Sequence, residues 1–342
     1  MGSILTISIP TYNRKNELER SINILLPQLS DQVNLLILDN ASDYNIFEVY
    51  NEISENFKKF IKVKRNKNNI GMCSNIVKCF EETESEWMWL LGDDDIPSEN
   101  SVKTILEDIN KIEEKIVLMK YSSIISQEKE NKIILGLENL IDFLYETNPE
   151  KRYGNLLFIS TSVYNVKKIK QMKNYMLYGY QFSNSYMPHN IILFFYLELN
   201  RGEGVQFLRT NIIELGKERD TYSDLIVGLG SIYGTKTLFL DIDKKREIKL
   251  RRLFTLFTSS IKGNFIELYL KGYLENKIKN YKKVYYDLYK ESKYKYLVKD
   301  KVMFYILYFI IDKPFFIKLL SKLNKKFKSA IERKNKGIYH RI

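Results

Sequence analysis

Short apolar runs alternate with segments of helical spacing over the first 115 residues of the chain. Runs rich in β-branched and aromatic residues predict buried strands, and apolar residues three or four apart predict helices. The predicted strands are Leu5–Ile9, Val33–Leu38, Ile61–Arg65 and Trp87–Leu91. The predicted helices are Asn13–Leu29, Ile46–Phe57, Gly71–Thr83 and Ser101–Lys115. This alternation predicts an α/β fold built on a doubly wound parallel sheet.

A polar cluster follows each of the four predicted strands. The clusters are Pro10–Arg14, Asp39–Asp43, Asn66–Gly71 and Asp93–Asp95. Any one of them is typical of a turn or a helix cap. Ligands of doubly wound folds bind where the carboxyl ends of the strands meet, so four clusters at that edge indicate a site.

The last cluster consists of three consecutive carboxylates, Asp93, Asp94 and Asp95, directly after an apolar strand. Adjacent acids repel one another, and none can be buried unpaired at low cost. Hard oxygen ligands of this kind suit Mg²⁺ or Mn²⁺, which share their coordination shell with substrate phosphates. A solvated acidic turn is the alternative interpretation of the same residues.

The composition is that of a globular protein, with 44% hydrophobic and 28% charged residues in 342 positions. The only cysteines, Cys73 and Cys79, match neither a disulfide framework nor a zinc motif, which favours a reducing, cytoplasmic compartment. Because the first predicted strand begins near Leu5, we expect no signal peptide. The longest apolar run, Val302–Ile311, is half of the roughly 20 residues that a bilayer requires, so no transmembrane helix is expected.

Beyond residue 115 the pattern is less regular, with predicted strands at Val117–Ser123 and Leu156–Tyr164 and an apolar helix at Ile191–Leu199. Residues 244–342 carry 27 Lys and Arg against 8 Asp and Glu, whereas residues 1–243 hold 27 against 34. We therefore expect one domain at 1–243 and a basic helical region at 244–342.

Within the basic region, Phe315–Phe327 places apolar residues three and four apart with lysines between them. A basic amphipathic helix suits an anionic membrane surface, here the inner face of the cytoplasmic membrane. The alternatives are a helical bundle that packs on the first domain with solvated lysines, and a lysine-rich composition without function. Nucleic-acid binding is not favoured, because no recognition motif accompanies the charge.

The ordered motifs resemble the family 2 inverting glycosyltransferases, which use nucleotide-sugar donors on a Rossmann-like domain of the glycosyltransferase A type. The matching segments are ISIPTYNR at Ile7–Arg14, ILDNASD at Ile37–Asp43, NNIGMCSN at Asn68–Asn75 and LGDDD at Leu91–Asp95. The LGDDD form, followed by FISTSVYN at Phe158–Asn165, is most similar to bacterial transferases of the abequosyltransferase type that build lipopolysaccharide or capsule.

The resemblance implies a set of donor contacts at the strand ends and a metal site beside them. The implied donor residues are Thr11, Tyr12 and Asn13 in the nucleotide pocket, Asp39, Asn40 and Ser42 at the base or ribose, Asn69, Gly71 and Asn75 beside the ribose and diphosphate, Asp93 at the ribose or sugar, and Asp94 as a further donor residue. Asp95, with Asp93, would hold the Mn²⁺ or Mg²⁺ that bridges the two phosphates. Arg14 is expected on a helix surface, although it is also placed to assist the leaving phosphate.

Direct displacement also needs a base for the acceptor hydroxyl. Many family members supply an Asp from a Glu-Asp pair about a hundred residues past the acidic cluster, and this chain has no such pair there. His189 lies at that distance and titrates in a suitable range, although a lone histidine beside an apolar helix is also typical of a structural residue. Glu218 and Asp220 are the reserve candidates.

The sequence therefore predicts a metal-dependent inverting glycosyltransferase that adds one sugar to a bacterial surface glycan or a lipid-linked acceptor. Two alternatives stay open. A non-catalytic, membrane-associated assembly subunit could retain the nucleotide-sugar fold, and the missing Glu-Asp pair favours it. A nucleotidyltransferase of related fold would need a basic, Gly-rich phosphate loop after the first strand, which Pro10–Arg14 is not.

Overall fold

The computed structural model describes residues 2–123, 128–214 and 230–256, with single positions between 283 and 309. Contacts divide the chain into two compact units. The first comprises residues 1–219 and 237–253, and the second residues 220–236 and 254–342. The predicted amphipathic segment Phe315–Phe327 lies outside the described residues.

Ten strands and eleven α-helices are named in the described part of the chain. The strands are β1 Leu5–Thr11, β2 Val33–Asp39, β3 Ile61–Arg65, β4 Trp87–Leu90, β5 Ile96–Pro97, β6 Ile116–Ser122, β7 Lys132–Leu135, β8 Ser162–Asn165, β9 Gly204–Asn211 and β10 Ile213–Glu214. The helices are α1 Lys15–Leu25, α2 Ile46–Asn51, α3 Glu55–Lys58, α4 Met72–Glu82, α5 Ser101–Ile109, α6 Leu137–Glu146, α7 Pro149–Leu157, α8 Val166–Ile169, α9 Tyr175–Gln181, α10 Pro188–Leu199 and α11 Lys244–Phe254.

The main sheet has eight strands in the order β3-β2-β1-β4-β8-β6-β9-β7, and β10 pairs with β5 in a small separate sheet. The first four strands are parallel, as the sequence predicts. Strands β1 and β4 are buried almost throughout, because helices cover both faces of a parallel sheet. The predicted α/β, Rossmann-like architecture is confirmed.

The second half of the sheet is mixed, which differs from the predicted all-parallel arrangement. Strand β8 runs antiparallel between β4 and β6, and β7 runs antiparallel to β9. The predicted strand Leu156–Tyr164 is wrong over most of its length, because α7 continues to Leu157 and a 3₁₀ turn occupies Ile159–Thr161. Hydrogen bonds from distant residues hold that turn, so its local apolar pattern could not reveal it.

Helix α11 shows what the first basic residues of the predicted tail contact. Arg246 forms ion pairs with Glu138 at 2.7 Å and Asp142 at 2.9 Å, and Lys249 contacts Asp142 at 2.6 Å. Both acids lie on α6, in the same unit as residues 237–253. Arg246 and Lys249 therefore form ion pairs with acidic residues of the same unit. No described helix has the length and apolar character needed to cross a membrane.

Candidate active site

The parallel register aligns the ends of the first three strands. Thr11 pairs with Asp39 across β1 and β2, and Asp39 pairs with Arg65 across β2 and β3. The backbone continues this alignment, because Asn40 N–H donates to Thr11 O and Asn66 N–H donates to Asp39 O, both at 2.9 Å. Polar clusters that are distant in sequence are thereby brought to one edge of the sheet.

Asp39 is fully buried and is held by three donors. It accepts hydrogen bonds from the Ser42 N–H at 3.1 Å and the Ser42 hydroxyl at 2.5 Å. The Arg65 guanidinium donates to Asp39 at 2.8 Å and also to the carbonyls of Ser42 and Tyr44. A buried carboxylate needs such partners, so Asp39 and Arg65 fix the loop after β2. In this arrangement Asp39 faces the protein rather than an open pocket.

An asparagine network joins the loops after β2 and β3. Asn66 donates its side-chain N–H groups to Asn40 at 3.0 Å and to Asn75 at 2.9 Å, and Asn40 donates to Asn69 at 2.7 Å. Asn75 anchors the network to the sheet by donating to the Leu38 carbonyl at 2.9 Å. The network therefore fixes the shape of the wall on which the predicted donor residues Asn40, Asn69 and Asn75 lie.

The segment after β1 borders an open cavity. Asn13 adopts a left-handed backbone conformation with φ 55°, its N–H donates to Ser42 at 2.9 Å, and its amide donates to Asp43 at 2.9 Å. Tyr12 is 40% exposed. A cavity of about 530 Å³ is lined by Asn13, Lys15, Asn16, Glu17, Asp43 and Tyr44. Strained backbone at a rim of this kind is typical of ligand-binding sites.

Gly71 has φ 84°, a conformation that favours glycine, and it directly precedes α4. Its N–H donates to the Asn69 side chain at 2.8 Å. An added Cβ would meet no atom within 4 Å, so the residue is required by its backbone angle and not by crowding. Gly71 therefore allows the sharp entry of the chain into α4.

The acidic cluster, Asp93–Asp95, follows β4 and is paired with the chain segment after β1. Arg14 contacts Asp93 at 3.0 Å and also forms an ion pair with Asp94. The pKa of Asp93 is raised from 3.8 to about 6, mainly by burial and also by the neighbouring Asp94 charge. The Arg14 charge acts in the opposite direction and lowers it. The expected helix-surface position of Arg14 is wrong, because its side chain is 15% exposed and lies against the cluster.

Asp95 is buried, and the 3₁₀ turn before β8 supports it. The Ser160 hydroxyl donates to Asp95 Oδ2 at 2.5 Å and accepts from the Gly92 N–H at 2.8 Å. Trp89 Nε1 donates to the Ser160 carbonyl at 2.8 Å. The site prediction does not include Ser160, although this residue lies in the FISTSVYN segment that accompanies the LGDDD motif. Because 65 residues separate Ser160 from Asp95, no periodicity indicates their contact.

The chemistry of this cluster fits a hard divalent cation. Asp93 and Asp95 are 6% and 7% exposed, and two carboxylates so placed are stabilised by a positive charge. Within the described ranges, no group of three or more His, Cys, Asp and Glu could hold a metal ion. A hard divalent cation held by two carboxylates would take its other ligands from water and phosphate oxygens, as is usual for Mg²⁺.

His189 is placed in the interior, near the start of α10. It is 1% exposed, and both of its ring nitrogens are buried. Burial and the nearby Lys120 lower its pKa from 6.5 to about 3. A general base must reach the acceptor hydroxyl, so this position weighs against His189. Glu218 and Asp220 lie outside the described residues.

Comparisons with known proteins agree with the fold and the motifs. The model of glycosyl transferase family 2 matches residues 6–173. Abequosyltransferase RfbV of Salmonella typhimurium is 29% identical over 101 residues, which span 29% of this chain and only 30% of that protein.

Two solved structures of TarS from S. aureus share the fold. Residues 1–349 of TarS in complex with UDP-GlcNAc superpose with a TM-score of 0.59 at 13% identity, covering all of this chain and 93% of that one. A second TarS structure gives a TM-score of 0.54 at 12% identity, over 83% of this chain and 49% of that one. Just under half of the chain, residues 6–173, is therefore similar in sequence to glycosyl transferase family 2.

Proposed function

We propose that this protein transfers one sugar from a nucleotide-sugar donor to a bacterial surface glycan or lipid-linked acceptor, with inversion and with the help of Mn²⁺ or Mg²⁺. The observation that carries the proposal is the buried acidic cluster at the carboxyl edge of the sheet. In an acidic turn open to solvent, Asp93 and Asp95 would not be only 6% and 7% exposed. The family match at residues 6–173 supports the same reaction class.

Asp95 and Asp93 are the residues that would hold the metal. A divalent ion bound there would supply Lewis-acid stabilisation of the negative charge on the leaving diphosphate. Ser160 fixes the Asp95 carboxylate, and Arg14 orients Asp93. The permanent positive charge of Arg14 would also favour a leaving phosphate bound near Asp93. Binding of donor phosphates would then complete the coordination shell.

The reaction requires a single displacement. The acceptor oxygen attacks the anomeric carbon, the bond from that carbon to the donor phosphate breaks, and the acceptor proton passes to a base. We favour Glu218 or Asp220 as that base, because His189 is buried with a pKa of about 3. Removing the true base lowers turnover by roughly 10²–10⁴-fold. Glu218→Gln, Asp220→Asn and His189→Gln, assayed in parallel, would identify it.

Thermal stabilisation by a panel of UDP-, GDP-, CDP- and TDP-sugars, each with and without Mn²⁺, tests the proposal. TarS was solved with UDP-GlcNAc, so this donor is the first of the panel. A metal-dependent shift with one nucleotide is the expected result. No shift with any donor would favour the non-catalytic assembly subunit instead.

We also propose that the basic region attaches the protein to an anionic membrane surface, where a lipid-linked acceptor would be found. The support is the amphipathic pattern of Phe315–Phe327, and each lysine near such a surface contributes about 1 kcal/mol. The full chain should sediment with vesicles of phosphatidylglycerol, whereas a variant truncated after residue 314 should stay in the supernatant. Equal binding of both proteins would refute the role of this segment.

A further inference from the structure

Lys120 is a fully buried lysine near the end of β6. Its amine donates to the Phe158 carbonyl at 2.5 Å and to the Ser162 hydroxyl at 2.7 Å. Within the described residues no carboxylate forms an ion pair with it, and burial alone lowers its pKa well below 10.5. Burying a lysine without a counter-charge is unfavourable, so these two hydrogen bonds are its main compensation.

The two acceptors of Lys120 lie on either side of the 3₁₀ turn Ile159–Thr161. The middle residue of that turn is Ser160, whose hydroxyl donates to Asp95 at 2.5 Å. Lys120 therefore holds both ends of the turn from the interior, while Ser160 contacts the acidic cluster from the other side. The β6–β8 register pairs Lys120 with Ser162, so the sheet itself places the amine at this turn.

We propose that Lys120 is a positioning residue for Asp95, and that it acts by fixing the turn from which Ser160 holds that carboxylate. The inference rests on the proposed function in one respect, namely that Asp95 binds metal. A metal carboxylate must be held within about 0.5 Å of its productive position, and supporting hydrogen bonds provide that precision. His189, which lies near Lys120, then has a structural role as a neutral neighbour of the buried amine.

Three variants test this role: Lys120→Met, Ser160→Ala and the double substitution. Mn²⁺ binding is followed by electron paramagnetic resonance in the presence of UDP, GDP, CDP or TDP. Loss of a supporting residue around a metal site typically weakens metal binding by about 10- to 100-fold, which is the expected effect of each single change. Because both residues act on the same carboxylate, the Mn²⁺ affinity of the double variant should be about equal to that of whichever single variant binds Mn²⁺ less tightly.

Lys170→Met is the matched control. The Lys170 amine also donates to backbone carbonyls, those of Glu81 and Thr83, but these lie at the end of α4 and not at the acidic cluster. This variant should leave Mn²⁺ binding unchanged. If Lys120→Met binds Mn²⁺ within twofold of the wild type, or if the two single effects multiply in the double variant, the positioning role is refuted.

A second readout does not depend on metal. The chain has only two tryptophans, and the Trp89 indole N–H donates to Ser160 O, so its ¹⁵N-indole resonance reports on the turn. Lys120→Met should shift that resonance, and Lys170→Met should not. If Lys120→Met does not fold, Ser162→Ala removes one of the two acceptors and should give a smaller shift.

The two readouts separate the possible failures. A wild-type protein that binds no Mn²⁺ with any nucleotide would overturn the proposed function. A Trp89 resonance that stays unmoved in a folded Lys120→Met or Ser162→Ala variant would overturn the role of Lys120.

Discussion

Substitution of Asp95 by Asn is the sharpest test of the acidic cluster. The amide has nearly the same shape and can still accept the 2.5 Å hydrogen bond from Ser160, but it carries no charge. The fold should therefore be retained, while the metal loses a charged ligand. Removing one group that stabilises charge in the transition state costs about 10²- to 10³-fold in turnover.

Asp95→Asn should also lose stabilisation by metal and donor. A ligand present at 100 times its Kd stabilises a protein by about 2.7 kcal/mol, which corresponds to a rise in Tm of roughly 5 °C for a domain of this size. We expect that rise for the wild type with Mn²⁺ and its donor, and little or none for the variant. Without ligand, the two proteins should have similar Tm values.

The assay is release of nucleoside diphosphate from the donor, with Tm measured on the same samples. Asp108→Asn is the matched control, because Asp108 also accepts a hydroxyl hydrogen bond, from Tyr121 at 2.9 Å, but lies on α5 away from the cluster. Its turnover should stay close to that of the wild type. Normal, metal-dependent turnover in Asp95→Asn would refute the metal assignment.

Three further predictions concern charges at or near the site. Arg14→Met should lower Tm, because Asp93 loses its cation, and Mn²⁺ should restore Tm more than in the wild type; equal Mn²⁺ effects would contradict this. Arg65→Met should lower the free energy of unfolding in urea by about 3 kcal/mol, because the buried Asp39 loses its ion-pair partner; an unchanged midpoint would contradict it. His189 has its pKa depressed from 6.5 to about 3, so its contribution to stability is present above pH 6.5 and is lost as the pH falls. When the pH is lowered from 7 to 5, the free energy of unfolding should therefore fall by about 2 kcal/mol less in His189→Gln than in the wild type, as measured by urea unfolding. Equal decreases in the two proteins would contradict the lowered pKa.

The local pattern of apolar residues was enough to predict the first four strands and the helices α1 and α4. The predicted helix Ile46–Phe57 is instead two short helices, α2 and α3, separated by residues 52–54. Strands such as β1 and β4 are buried on both faces, so most of their consecutive residues are apolar and the strands can be predicted from the local sequence. The convergence of the polar clusters followed from the same reasoning, because parallel strands end at one edge. The sequence motifs also predicted the similarity to glycosyl transferase family 2 over residues 6–173.

The tertiary structure decided the mixed half of the sheet and the supports of the site. Strand β8 inserts antiparallel between β4 and β6, and this places Ser160 against Asp95 and Lys120 beneath the turn. These contacts join residues 38 to 65 positions apart, and no periodicity relates such residues. Arg14 likewise has the spacing of a surface helix residue and is partnered only through the folded cluster. Burial along a strand is a local property of the chain, whereas a hydrogen bond between two strands exists only once their order and register are set.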